Sequence, residues 1–192
     1  MDASESLSSP LALSQGFSAS ERVAQMRHEV KVNVYDINAM TSRLNDLLAP
    51  LRLGAFHCGV EVLGDEWFFA WGETDLSGVV WNEPRQHQVH IYRQTVNMGE
   101  SELSEEEIHD VIRDAMDNWT ANGYHPITRN CVTFAEELTN ALRVPRSFPK
   151  WVRGIIDLGR CCLLAPIANI LWRIIRRYLS GQSATRPFSF TA

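Results

Sequence analysis

Cys131 is the residue in this chain best placed to do chemistry. Asn130 precedes it, and Asn is a favoured helix N-cap, so the thiol falls in a first helical turn. The positive end of the helix dipole then acts on the sulfur and predicts a lowered thiol pKa. Val132, Phe134, Ala135, Leu138, Ala141 and Leu142 follow at helical spacing and mark a buried stripe that Cys131 opens. A thiol so placed can attack a carbonyl once a base removes its proton, so the chemistry turns on which of six histidines serves it.

A general base has to be held rigidly within about 2.6–3.2 Å of the proton it takes. His28 lies at the edge of an unpatterned leader, and His109 lies off the apolar stripe of its helix. His87 and His90 are expected on opposite faces of one strand, 87–92. His125 sits in the loop just before Cys131, where the rigid turn at Pro126 works against it. His57 starts an apolar strand between Gly54 and Gly59, whose glycines let another element approach closely. His57 is the preferred base. His125 remains its rival, and a plain hydrogen-bonded strand histidine remains the alternative reading of His57.

The elements that must position these residues follow from periodicity. Val30, Val32 and Val34 alternate with polar residues in a strand over 29–36 with one buried face. Leu44, Leu47, Leu48 and Leu51 recur at helical spacing over 40–51, limited by Pro50. Residues 54–63 and 66–71 read as a hairpin turning at Gly64-Asp65, and 72–84 as irregular. Ser104 and Glu107 form a capping box ahead of Ile108, Val111, Ile112, Ala115, Met116 and Trp119, a helix ended by Gly123. The order predicts an α+β domain over 28–155, with a flexible leader over 1–27 (a short helix near Ser20–Arg27) and a basic, apolar helical extension over 156–192. The extension is expected in two helical parts broken near Pro166.

Net charge is −5, but residues 143–192 carry +8 and residues 1–142 carry −13. An acidic body argues against nucleic acid as the main ligand. Cys58, Cys131, Cys161 and Cys162 form neither a disulfide framework nor a metal-ligand spacing, and Cys58 should face away from His57 as a packed thiol. No cofactor or metal is expected. Met-Asp-Ala-Ser-Glu lacks the basic region and apolar run of a secretory signal, so the expected location is cytoplasm or nucleus. The tail's uncharged run, Cys161 to Trp172, falls short of the ~20 residues that span a bilayer. Two readings of the tail stay open. It packs on the domain, or it anchors peripherally on a membrane through Leu163, Leu164, Ile167, Ile170, Leu171, Ile174 and Ile175 with Arg173, Arg176 and Arg177, with Cys161-Cys162 as acylation sites.

In order, Val32-Asn33-Val34-Tyr35-Asp36, Phe56-His57-Cys58-Gly59-Val60-Glu61-Val62, Glu66-Trp67-Phe68-Phe69-Ala70-Trp71-Gly72, Asn130-Cys131-Val132-Thr133-Phe134, and Val144-Pro145-Arg146 with Pro149-Lys150-Trp151-Val152 resemble the successive motifs of the desumoylating isopeptidases, or PPPDE peptidases. The resemblance covers about residues 29–155. It implies a permuted papain-like fold, a small antiparallel sheet or barrel packed against helices, with His57 as general base and Cys131 as nucleophile of a dyad. It also implies ubiquitin or ubiquitin-like conjugates as substrates, nearer the ubiquitin-linked branch. The chain departs from the family at Val132, where Asn is usual, and in the Trp-containing segment 75–83. Three functions follow as expectations: an isopeptidase, a protein S-acyl thioesterase using the same dyad, or a non-catalytic adaptor. Oligomeric state is left open.

Overall fold

The computed structural model describes residues 27–160 and, beyond them, residues 166, 169, 170, 172–174, 176 and 177. The expectations for the leader and for Cys161-Cys162 lie outside the described residues, as does most of the tail. Among the described residues no helix is long and apolar enough to cross a membrane.

Alternating valines produce the first strand, β1 (His28–Asp36), with Val30, Val32 and Val34 buried on one side. The other side is buried as well, through Asn33 and Tyr35. A single buried face was expected. β1 instead lies inside a five-stranded antiparallel sheet whose second face is covered by the loop over 83–90. The sheet order is β4-β3-β2-β1-β5, with β2 at Phe56–Val62, β3 at Asp65–Phe69, β4 at Val79–Asn82 and β5 at Ile91–Ser101. β2 and β3 form a hairpin in which Val62 pairs with Asp65, so the central turn residues are Leu63 and Gly64. Both have positive φ, 53° and 90°, the conformation that matches the twist of the flanking strands.

Three expectations are corrected here. The segment 72–84 is not wholly irregular, because β4 pairs along β3 from Phe69↔Val79 to Glu66↔Asn82. The strand expected over 87–92 starts only at Ile91 and runs on to Ser101, leaving His87 and His90 in the preceding loop. The capped helix ends at Asn118 rather than Gly123, with Trp119 as its C-cap, and Ala121–Gly123 forms a separate 3-10 turn.

Over the described residues 27–160 the α-helices are α1 (Ala39–Leu48), α2 (Glu105–Asn118), α3 (Cys131–Ala141) and α4 (Lys150–Gly159). α2 opens with the expected capping box, Ser104 with Glu107. α3 lays Phe134, Ala135 and Leu138 on the sheet face that carries Phe56, Cys58 and Val60. The helical spacing of Leu44, Leu47 and Leu51 does not mark a core face. All three are exposed, and α1 is held instead by buried Asn45. Asn45 Nδ2 donates to Asp36 Oδ1 (2.6 Å) and to the Ala55 carbonyl (2.9 Å), while its Oδ1 accepts from the Ala55 N–H (2.9 Å). Arg93 closes the same latch on Asp36 at 3.1 Å. The start of the His57 strand is thereby tied to β1 and β5. α4 packs so closely that a Cβ on Gly154 would stand 1.4 Å from the Arg52 carbonyl oxygen.

Candidate active site

The turn before Cys131 is built from its own polar groups. His125 N–H donates to the Arg129 carbonyl and Arg129 N–H to the His125 carbonyl, at 2.8 and 2.9 Å. His125 Nδ1 accepts from the Ile127 and Thr128 N–H groups, both at 3.3 Å. The rival histidine thus shapes the turn. Asn130 caps α3 as the sequence requires. Its Oδ1 accepts from Val132 N–H (2.9 Å) and Thr133 N–H (3.0 Å), and Thr133 Oγ1 accepts from Asn130 N–H (2.8 Å). Asn130 Nδ2 also donates to the Pro126 carbonyl at 2.7 Å, fixing the turn to the helix.

This cap delivers the Cys131 thiol to the core side of β2. There the N–H of Cys58, the hydroxyl of Tyr124, the N–H of Val132 and its own N–H act on the sulfur in favour of the thiolate. Tyr124 was not singled out from the sequence. A stack on Phe69, with centroids 5.3 Å apart, holds it in place, and Phe69 packs in turn on Trp119 at 4.8 Å. An isolated Tyr in a loop carries no signal of this, because the stacking partner comes from β3.

The expected low thiol pKa is reversed. Burial of Cys131, 6% exposed, pushes the thiol up, and the N–H and Tyr124 donors only partly oppose it. Desolvation of a thiolate outweighs the helix N-terminus here. Cys58 is fully buried, points into the same core and is pushed up by burial still further, as its expected role of packed thiol requires.

His57 lies one residue along β2 from Cys58, so its ring stands on the opposite sheet face. Its neighbours are Phe68 (5.3 Å), Tyr35 (6.0 Å), His87 (4.7 Å) and His90 (4.4 Å), all between ring centroids. Burial, then His90 and His87, hold its pKa well below the ordinary histidine value, so the ring is neutral near pH 7. Its buried Nε2 has no hydrogen-bond partner, and so makes none with the Cys131 sulfur. The structure therefore brings Cys131 against the backbone next to His57, and turns the His57 ring toward two other histidines. Pairing of β2 with β3 covers only Val60–Val62, so the strand carrying His57 and Cys58 is unpaired on that side.

Beneath His57 the sheet holds a buried carboxylate. Glu66 accepts from the Tyr35 hydroxyl (2.7 and 2.8 Å), Asn33 Nδ2 (2.7 Å) and Arg85 N–H (2.8 Å). Burial pushes its pKa up in spite of these donors. Glu66 fills the space a side chain at position 59 would need, since a Cβ on Gly59 would fall 2.2 Å from Glu66 Oε1. The close approach expected at Gly59 is thus made by a side chain of the neighbouring strand.

A family model described as the PPPDE putative peptidase domain matches residues 28–168. A desumoylating isopeptidase 1 homolog of Caenorhabditis elegans is 29% identical over 140 residues, 71% of this chain and 40% of that protein. A DeSI-like protein of Arabidopsis thaliana is 29% identical over 133 residues, 69% of this chain and 57% of that protein. The chain spans about half the length of these relatives.

Proposed function

This chain belongs to the PPPDE putative peptidase family, and from that premise we propose that it is a cysteine isopeptidase in which Cys131 is the nucleophile and His57 the base. Its substrates would be ubiquitin or ubiquitin-like modifier conjugates, a class that includes the SUMO conjugates implied by the name of the C. elegans relative, a desumoylating isopeptidase 1 homolog. A permuted papain-like arrangement, with histidine strand before cysteine helix, is part of the same reading. The observation that carries it is the placement of Cys131: a thiol in the first turn of a helix capped by Asn130, where the Tyr124 hydroxyl and nearby N–H groups favour the thiolate.

For the reaction the β2 backbone at His57, which β3 leaves unpaired, has to rearrange so that the ring reaches the sulfur. Neutral Nε2 takes the Sγ proton, and the thiolate attacks the isopeptide carbonyl carbon. Backbone N–H groups of the Cys131 turn hold the oxyanion, with Tyr124 as the further donor. Collapse breaks the C–N bond, and His57 gives its proton to the departing lysine amine. Water then adds to the thioester, His57 takes its proton, and the proton returns to sulfur as the modifier's carboxylate leaves.

Ubiquitin and SUMO carrying a C-terminal electrophile test this. Labelling at Cys131 that disappears in Cys131→Ala and His57→Ala is expected, and no labelling by any modifier refutes the reading. The buried, protonated thiol with its base turned aside favours one second reading, a non-catalytic adaptor. An adaptor predicts that neither probe labels the native chain while conjugates still bind it.

A further inference from the structure

His57 lies thirty residues or more before His87 and His90 in the sequence, yet all three offer a ring nitrogen within 4.8 Å of the others. We infer that these three histidines form a binding site for a zinc-class divalent cation, in which the metal takes His57 out of service as a base. The site itself stands apart from the isopeptidase reading, and only its inhibitory consequence rests on that reading.

Two observations support it beyond proximity. His57 is 7% exposed and its Nε2 is buried with no partner, in a ring whose nitrogen is one of the three clustered ligand atoms. Buried polar atoms are normally satisfied, so an orphan among other ligand atoms points to a missing partner. Second, His90 is already set as a ligand. Its Nδ1 lies 3.0 Å from the Ile37 carbonyl, which fixes the proton on Nδ1 and leaves Nε2 free. A backbone carbonyl behind the distal nitrogen is the usual support of a metal-binding imidazole. Three neutral imidazoles plus water make a tetrahedral set suited to zinc.

The two loop histidines provide the adjustment. Zn–N bonds of ~2.0–2.1 Å in a tetrahedron bring ligand nitrogens to about 3.3 Å of each other, so the cluster must contract. β2 holds His57, while His87 and His90 sit in the irregular 83–90 connection and are partly exposed, which also gives the ion its route in. His87 has one change to make. Its Nδ1 accepts from Val89 and His90 N–H at 3.2 and 3.1 Å, so ligation through Nε2 moves the ring proton to Nδ1 and releases those two long bonds to water. Once a metal holds the His57 nitrogen, that lone pair no longer accepts the Cys131 proton.

Cobalt(II) reports the geometry directly, because a tetrahedral nitrogen-rich site gives intense visible absorption. Titration of the full chain is expected to reach one equivalent, with the same spectrum in Cys131→Ser. His87→Ala and His90→Ala should each weaken binding by more than about tenfold, whereas His109→Ala should not. Unchanged affinity in both loop variants, absence of tetrahedral bands, or loss of binding in Cys131→Ser would overturn the site. Zinc should also slow probe labelling of Cys131 in the native chain and have less effect in His87→Ala or His90→Ala. Undiminished labelling with the metal bound overturns the inhibitory half. If no probe labels the zinc-free chain, the isopeptidase reading fails while the cobalt titration still decides the site.

Discussion

Replacing Asn130 separates support of the nucleophile from participation in the chemistry. The side chain is buried and makes three bonds that Ala cannot, two accepted from Val132 and Thr133 N–H and one donated to the Pro126 carbonyl. Loss of the N-cap costs about 1 kcal/mol. Leaving the Pro126 carbonyl and a buried N–H without partners adds roughly 1–3 kcal/mol. Asn130→Ala should therefore lose about 2–4 kcal/mol, which in a chain of this size lowers Tm by about 5–12 °C. Asn130→Asp keeps the acceptor and the favourable charge at the helix start, but loses the donor to Pro126, so it should fall between Ala and the native protein. Calorimetry or thermal circular dichroism reads the shift, and rate of Cys131 labelling at a temperature where every variant is folded reads the chemistry. A cap alone predicts that labelling in Asn130→Asp stays within a few-fold of native. A Tm unchanged within about 1 °C in Asn130→Ala would refute the capping argument. A collapse of labelling in Asn130→Asp with little loss of Tm would make Asn130 a third member of the catalytic machinery.

Iodoacetamide alkylation of Cys131 should be slow at neutral pH and rise only above the ordinary thiol range, because burial holds the thiol protonated. Tyr124→Phe should slow it further by removing a donor to the thiolate, and rapid pH-independent alkylation near pH 7 would contradict both statements. Stability should fall on acidification below pH 6.5, because His57 is held well below that value and His87 at about 4, so the folded chain binds fewer protons than the unfolded one in this window. Each such group contributes a slope of at most about 1.4 kcal/mol per pH unit. Glu66, whose pKa is raised, works in the opposite sense as pH rises above 4.5, and it cancels when native protein is compared with His87→Asn by urea denaturation. A His87→Asn variant with an undiminished slope between pH 4.5 and 6.5 would count against this account. Gly154→Ala should destabilise by more than about 3 kcal/mol, since its new Cβ meets a backbone carbonyl that cannot step aside. An unchanged urea midpoint would show that α4 lifts off freely.

Local signals carried much of this structure. The alternating valines of β1, the capping box at Ser104 and the Asn130 cap were legible because each depends on residues within a few positions of one another. Where burial depends on a distant element, the pattern misled. Leucines of α1 follow a helical period yet face outward, because a buried Asn45 grips Asp36 and Ala55 on that helix's inner side. Val89 and Ile91 alternate with Gln88, His90 and Tyr92 as a strand would, but the partner strand is reached only from Ile91 onward. The thiol pKa departs from what the helix start alone predicts for a similar reason. A helix start is visible in sequence, whereas the depth at which the sheet and Tyr124 bury the sulfur is a tertiary fact. Neither the three-histidine cluster nor the Glu66–Gly59 fit has a spacing signature, since each joins different strands and loops.

The order of strands also sets a timetable for the chain as it leaves the ribosome. β1 is flanked by β2, which follows within about twenty residues, and by β5, which is complete only at Ser101. The meander from β1 to β4 can form from neighbours, while the other edge of β1 stays open, with its backbone donors and acceptors unpaired, until β5 emerges. At ordinary synthesis rates of ~5–20 residues per second, that interval lasts on the order of seconds. An open valine-rich edge is a template for another nascent chain. Slow synthesis between Val62 and Ser101 should therefore favour association between neighbouring polypeptides, and the Cys131 helix, made later still, seals the opposite face only after that hazard has passed.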